Sequence, residues 1–232
     1  MNKYWCLLAL VFQIFAWANP ANALEWTGLR FDGSPCTGNA QGFGPWDFFD
    51  VDEPSDANYE VGRWWEAKNV HARPGMAALQ HEPFDEISYR RAAHEFDYLL
   101  RAFPNHPQML NAVIELEFRR RKAPVRLLAA ETPPECYLLR AMSFRPDQAH
   151  IFQLMALYLQ RLDRTDEAIE QYEYALKLDP NAAEIYYNLA FSYLKNGNQE
   201  ASLCAAKKAY ALGYPLPGLR RKLQRLGIWQ DE

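Results

Sequence analysis

Five histidines come first when metal or general-base chemistry is sought: His71, His81, His94, His106 and His150. A helix brings two ligands to one metal when they stand four residues apart, as in a His-Glu-x-x-His string. No two of these histidines do. His81-Glu82 and His94-Glu95 are adjacent pairs, and adjacent side chains on a helix point different ways. Structural or surface roles are expected for them, and hydrogen bonding for His71. No serine stands in a Gly-x-Ser-x-Gly turn, no glycine-rich phosphate loop occurs, and no two cysteines form a Cys-x-x-Cys pair. Asp50, Asp52, Glu53 and Asp56 form an acidic cluster, but without the alternating ligands and terminal glutamate of a calcium loop. They read as a solvated loop. Arg119–Lys122 is a basic run at a helix end, where it complements the helix dipole. A formal charge of −4 gives no basic footprint for nucleic acid. The sequence predicts no catalytic residue, no metal site and no cofactor.

The elements that would position any site are helices. The stretch Ala149–Pro180 reads AHIFQLMALYLQRLDRTDEAIEQYEYALKLDP. With Ala149 as position 1, Ala156 falls at 8, Ala168 at 20, Tyr172 at 24, Ala175 at 27 and Pro180 at 32. Small residues at 8 and 20 let two antiparallel helices approach closely, Tyr172 fills the space beside them, and proline stops the second helix. The next unit, 183–216, keeps the frame with Leu189, Ala190, Tyr193, Gly197, Ser202, Ala206 and Ala209. An atypical unit, 73–106, places Ala92, Phe96 and Leu99 at 20, 24 and 27, ahead of Pro104. Between them, 107–148 is longer than the period allows. Its extra residues lie around 123–134, where a short helix at 125–130 is predicted. A last helix from about Pro217 to Leu226 within 217–232 would cap the array, its Leu219, Leu223 and Leu226 inward and its arginines in water. A period of about 34 residues with these fixed positions resembles the tetratricopeptide repeat.

That resemblance implies an all-α, right-handed solenoid of about three to four helix pairs. Residues 24–72 precede it as an irregular segment rich in glycine, proline and aromatics, with Trp46, Phe48 and Phe49 as expected anchors on the helical body. Residues 1–23 read as a cleavable secretory signal: Lys3, then an apolar run shorter than a membrane span needs, then Ala21-Asn22-Ala23. Residues 24–232 carry a formal charge of −5. Beyond the repeat, GPWDF, FDYLLRAFPNHP and AYALGYPLPGLRRKL resemble an uncharacterised group of exported tetratricopeptide proteins of Gram-negative bacteria. This implies a periplasmic location, with secretion as the alternative, and carries no activity.

Three cysteines follow the leader, and an exported chain keeps its disulfides. Cys136 and Cys204 hold position 22 of repeats two units apart, beyond the reach of a bridge in a regular solenoid. The expected pair is Cys36–Cys136, with Cys204 free.

In this family the first helix of each pair lines the concave side. The resemblance therefore implies a groove made by Asn111, Glu115 and Arg119, then His150, Gln153, Leu157 and Gln160, then Tyr187, Asn188, Phe191 and Leu194. The family's chaperone-binding members clamp a carboxylate with lysine and asparagine at positions 5 and 9. Gln153, Leu157, Tyr187 and Phe191 stand there, so that clamp is absent. A mixed polar and aromatic groove suits an extended peptide or a partner's helix. The expected function is non-catalytic: a protein-interaction scaffold in the cell envelope, binding a protein or peptide, with no nucleic acid and no membrane span after cleavage. Two alternatives stay open. The groove could be occluded by the protein's own N-terminal segment, or that segment could build a hydrolase or metal site with His71.

Overall fold

The computed structural model describes residues 24–40, 44–50 and 67–230. The leader, Trp64-Trp65 and all of the acidic cluster except Asp50 lie outside the described residues. A π-helical turn, Ala67–Ala72, leads into nine α-helices. These are α1 (Arg73–Gln80), α2 (Glu86–Ala102), α3 (Pro107–Lys122), α4 (Pro134–Phe144), α5 (Ala149–Arg161), α6 (Thr165–Leu178), α7 (Ala183–Lys195), α8 (Gln199–Ala211) and α9 (Gly218–Arg225). No strand forms among the described residues; Leu29 and Pro35 share one isolated bridge.

Local chemistry sets the helix ends. Pro74, Pro107 and Pro134 stand in first turns, where a missing N–H costs nothing. Asp85 and Ser88 form a reciprocal capping box on α2. Asn198 accepts from the Ala201 N–H at the start of α8. Gly197 follows α7 with φ +80°, and Asp163 takes the matching left-handed place after α5 with φ +68°. Aspartate tolerates that conformation better than most side chains.

Pairing follows the small residues. Ala156, Ala168, Tyr172 and Ala175 are completely buried where α5 meets α6. Ala190, Ser202, Ala206 and Ala209 do the same for α7 and α8, and the Ser202 hydroxyl donates to the Ala190 carbonyl at 2.8 Å. In α2, Ala92, Phe96 and Leu99 occupy the corresponding places. Two apolar cores result. One runs from α1 to the start of α7, and a smaller one lies between α7, α8 and α9. Leu219 and Leu223 of α9 are fully buried in the second, whereas Leu226 is 56% exposed.

The insertion corrects one expectation. Residues 125–130 are not helical. Their polar backbone groups bond across the fold instead: Ala130 N–H donates to the Tyr89 hydroxyl at 2.6 Å, and Arg120 donates to the Leu127 carbonyl at 3.1 Å. Only Leu127 is buried in this stretch, so no helical face has a core to cover. Prolines 124, 133 and 134 bracket it.

Candidate functional site

The described part of the N-terminal segment lies along the helices as a strap. Trp26 meets Tyr137 edge-on at 5.3 Å, with the Arg140 guanidinium 5.0 Å from the indole. Phe31 stacks on Tyr158 at 5.8 Å, and Arg164 covers its other side at 3.8 Å. Cys36 bonds Cys136 with Cα atoms 5.5 Å apart; Cys204 is free and exposed. Asp97 gathers the strap onto α2 and α4: it accepts from Tyr137 Oη at 2.8 Å, Asn39 Nδ2 at 3.0 Å and Arg101 Nε at 3.0 Å. An open cleft of roughly 380 Å³ beside it, between α2 and the insertion, is therefore lined by a carboxylate already engaged.

A second stretch of strap seats on the α2–α3 turn. Gly44 has φ +77°, and a Cβ there would stand 2.5 Å from the Ala102 carbonyl, so only glycine fits. That carbonyl accepts from Trp46 N–H at 2.8 Å, capping α2. Trp46 packs on Phe103, Phe48 stacks on His106 at 4.0 Å, and Phe49 meets His150 edge-on at 5.3 Å. Asn105 ties Asp47 and Gln148 together, and Asp47 pairs with Arg145. Burial pushes His106 down to about 4.

The face made by successive first helices also forms, since α3 touches α5 and α5 touches α7. It keeps Asn111, Glu115, Gln153, Leu157, Gln160 and Asn188 half-buried. Glu115 pairs with Arg161 of the next unit. Gln160 accepts from Tyr172 Oη at 3.1 Å.

Other residues expected there are engaged elsewhere. Arg119 reaches back to α1, donating to the Leu79 and His81 carbonyls and pairing with Glu82, because that helix end leaves carbonyls without partners. His150 is covered by Phe49 and bonds the Asn105 carbonyl at 3.3 Å. Tyr187 is 9% exposed, packed against Phe191, Tyr210 and Tyr214 beneath the capping helix. Phe191 and Leu194 border the same cluster. His71 bonds Glu95 at 2.6 Å and stacks on Tyr98. No group of three potential metal ligands forms among the described residues.

Sequence reasoning missed Arg140. It is 1% exposed and donates to the Leu100 carbonyl at 2.8 Å and the strap's Leu24 carbonyl at 3.2 Å. Burial pushes its guanidinium down to about 10. A charged residue in a helix reads as surface, and nothing in its spacing marks it as a carbonyl cap.

Residues 161–197 match a family pattern described as TPR repeat, and they span the end of α5, all of α6 and all of α7. Residues 161–197 carry a tetratricopeptide repeat. No curated protein sequence matches the chain. Solved structures do. One is titled "Crystal structure of MamA protein", with 18% identity over 70% of this chain and 80% of that one, and a TM-score of 0.47. Another is "Crystal structure of YrrB: a TPR protein with an unusual peptide-binding site", with 18% identity, 72% of each chain covered and a TM-score of 0.45. A third, MamA AMB-1, has 22% identity over 65% of this chain and 94% of that one, at 0.41. The repeat accounts for the paired helices; the strap and the insertion are additions to it.

Proposed function

We propose that this repeat protein is a non-catalytic interaction scaffold whose first-helix face binds an extended peptide or a helix of another protein. One observation carries the reading. Asn111, Gln153, Leu157, Gln160 and Asn188 run across three successive repeats and stay partly exposed. The strap's described ring contacts fall on α4, the α2–α3 turn, Tyr158 and, at one edge, His150. Amide side chains can bond a peptide backbone, and Leu157 supplies apolar area between them. The cell envelope is the proposed location, supported by the leader and by a disulfide that suits an oxidising compartment. No helix among the described residues is long and apolar enough to cross a membrane.

A photo-crosslinking amino acid placed at Gln153 in intact cells tests the binding face. A partner captured there and lost on Leu157→Arg is expected. Capture unaffected by that substitution, while the same probe at exposed Ile87 captures the same partner, would overturn the assignment. Among the described residues, occlusion by the N-terminal segment draws support from Phe49 at His150. If it holds, Phe49→Ala should increase capture.

A further inference from the structure

The last 26 residues, Lys207–Glu232, hold six lysines and arginines against Asp231 and Glu232. They are +4 in a chain of −4, which leaves −8 on everything before them. Four of the six cations lie on α9. Its fully buried Leu219 and Leu223 fix its orientation, and one turn takes 3.6 residues. Arg220, Arg221, Lys222 and Arg225 therefore fan around the opposite side, and all four are exposed.

Their state differs from that of most arginines between α2 and α6. Eight arginines between α2 and α6 sit in salt bridges with carboxylates. None of the four on α9 does, among the described residues. Arg220 lies over Tyr210 and Trp229, and Lys222 over Phe191, which leaves their charge uncompensated. The helices α7, α8 and α9 carry two carboxylates among them: Glu184, whose charge reaches Tyr214, and Glu200 in the first turn of α8. Leu216 and Leu226 flank α9 at 55% and 56% exposure.

We propose that this end of the solenoid is an electrostatic docking surface for the anionic headgroups of a phospholipid bilayer. The geometry favours a bilayer over an acidic polypeptide. Cations fanned around a helix meet a broad, fluid negative surface together, whereas one extended chain would run past only a line of them. Leucines at the rim can enter the headgroup boundary, as on interfacial helices. Each cation near such a surface multiplies partitioning by roughly five. The surface lies apart from Gln153 and Leu157, so it can hold the scaffold to a membrane while the binding face stays open.

The test is sedimentation of the full chain with vesicles of phosphatidylglycerol and phosphatidylcholine in equal parts, against phosphatidylcholine alone. Binding to the anionic vesicles only is expected, falling steeply by about 0.5 M salt. The quadruple variant Arg220→Gln/Arg221→Gln/Lys222→Gln/Arg225→Gln should bind at least about tenfold more weakly. Its circular dichroism should be unchanged. If that variant misfolds, Arg221→Gln/Arg225→Gln decides, since neither of these arginines has a described ring contact. Wild-type protein that ignores anionic vesicles would overturn the proposal, as would a folded variant that binds them equally well. Capture of polyglutamate without vesicle binding would assign the face to acidic polypeptides instead.

Discussion

His106 stands in the α2–α3 turn beneath Phe48, with its Nδ1 buried and without a hydrogen bond. Folded, it stays neutral down to about pH 4; unfolded, it takes a proton near 6.5. Between those values the unfolded chain binds a proton that the native chain refuses. Stability therefore falls as pH falls from 6.5 to about 4, and this contribution levels off below. Relative to His106→Phe, wild-type protein should lose roughly 2 kcal/mol between about pH 7 and pH 4.5. Urea unfolding of both proteins at the two pH values measures this, and parallel curves would remove the buried neutral imidazole from the account. At the same scale, Tyr187 and Leu157 separate core from proposed binding face. Tyr187→Ala should cost about 3–5 kcal/mol, because it empties the seat of the capping helix. Leu157→Ala should cost below about 1 kcal/mol. Thermal melting of the two variants distinguishes them. Residues whose size sets the repeat were legible: Ala168 and Tyr172 are both completely buried. Residues that act through long polar side chains were not. Arg119 and Arg140 both serve carbonyls at helix ends about 40 residues away in sequence, and no local pattern encodes such a distance.

At the scale of elements, the close contact between α5 and α6 depends on Ala168. Ala168→Leu should overpack it and destabilise by roughly 1–3 kcal/mol, read as a lowered melting temperature. The strap is a different kind of element: its own backbone hydrogen bonds are local, as where Cys36 N–H donates to the Gly28 carbonyl at 3.0 Å. Its anchoring aromatics were readable from composition in part: Trp46 and Phe48 are half-buried on the helical body, whereas Phe49 touches it and stays 56% exposed. Where they would land was not readable, because the seats at Phe103, His106 and His150 come from three separate elements. The insertion failed for a related reason. Its prolines marked irregularity, but helix or extended chain was decided by the Tyr89 hydroxyl and Arg120, which lie outside it. The bridge between Cys36 and Cys136 closes a loop with a sequence separation of 100. Reduction should cost about 4–5 kcal/mol, measured by urea unfolding with and without a reductant. A shift under 1 kcal/mol would mean that the strap's side chains alone hold the loop closed.

The described residues form two cores rather than one. Repeat arrays distribute stability through nearest neighbours, so damage at one end should stay there. Reducing the disulfide is expected to speed amide hydrogen exchange in residues 24–40 and 134–144 and to leave 183–226 unchanged. Exchange that rises throughout would mean that the array unfolds as one unit. The repeat frame was legible from the first sequence reading because period and residue size are local properties. On the proposed binding face, Asn111, Glu115, Gln153, Leu157, Gln160 and Asn188 are half-buried. Elements beyond the repeat engage two other residues of the first helices, the strap at His150 and the cap at Tyr187.

The strap lies before α1 in sequence but rests on α4. A ribosome makes its aromatic residues first and their seat some 100 residues later, which at about 5–20 residues per second is a delay of roughly 5–20 seconds. Through that interval Trp26 and Phe31 have no docking site, so the growing chain carries an unsatisfied sticky end. After Cys36, the next cysteine to emerge is Cys136, and Cys204 follows only after another full helix pair has been made. The order of synthesis thus presents Cys36 with Cys136 before Cys204.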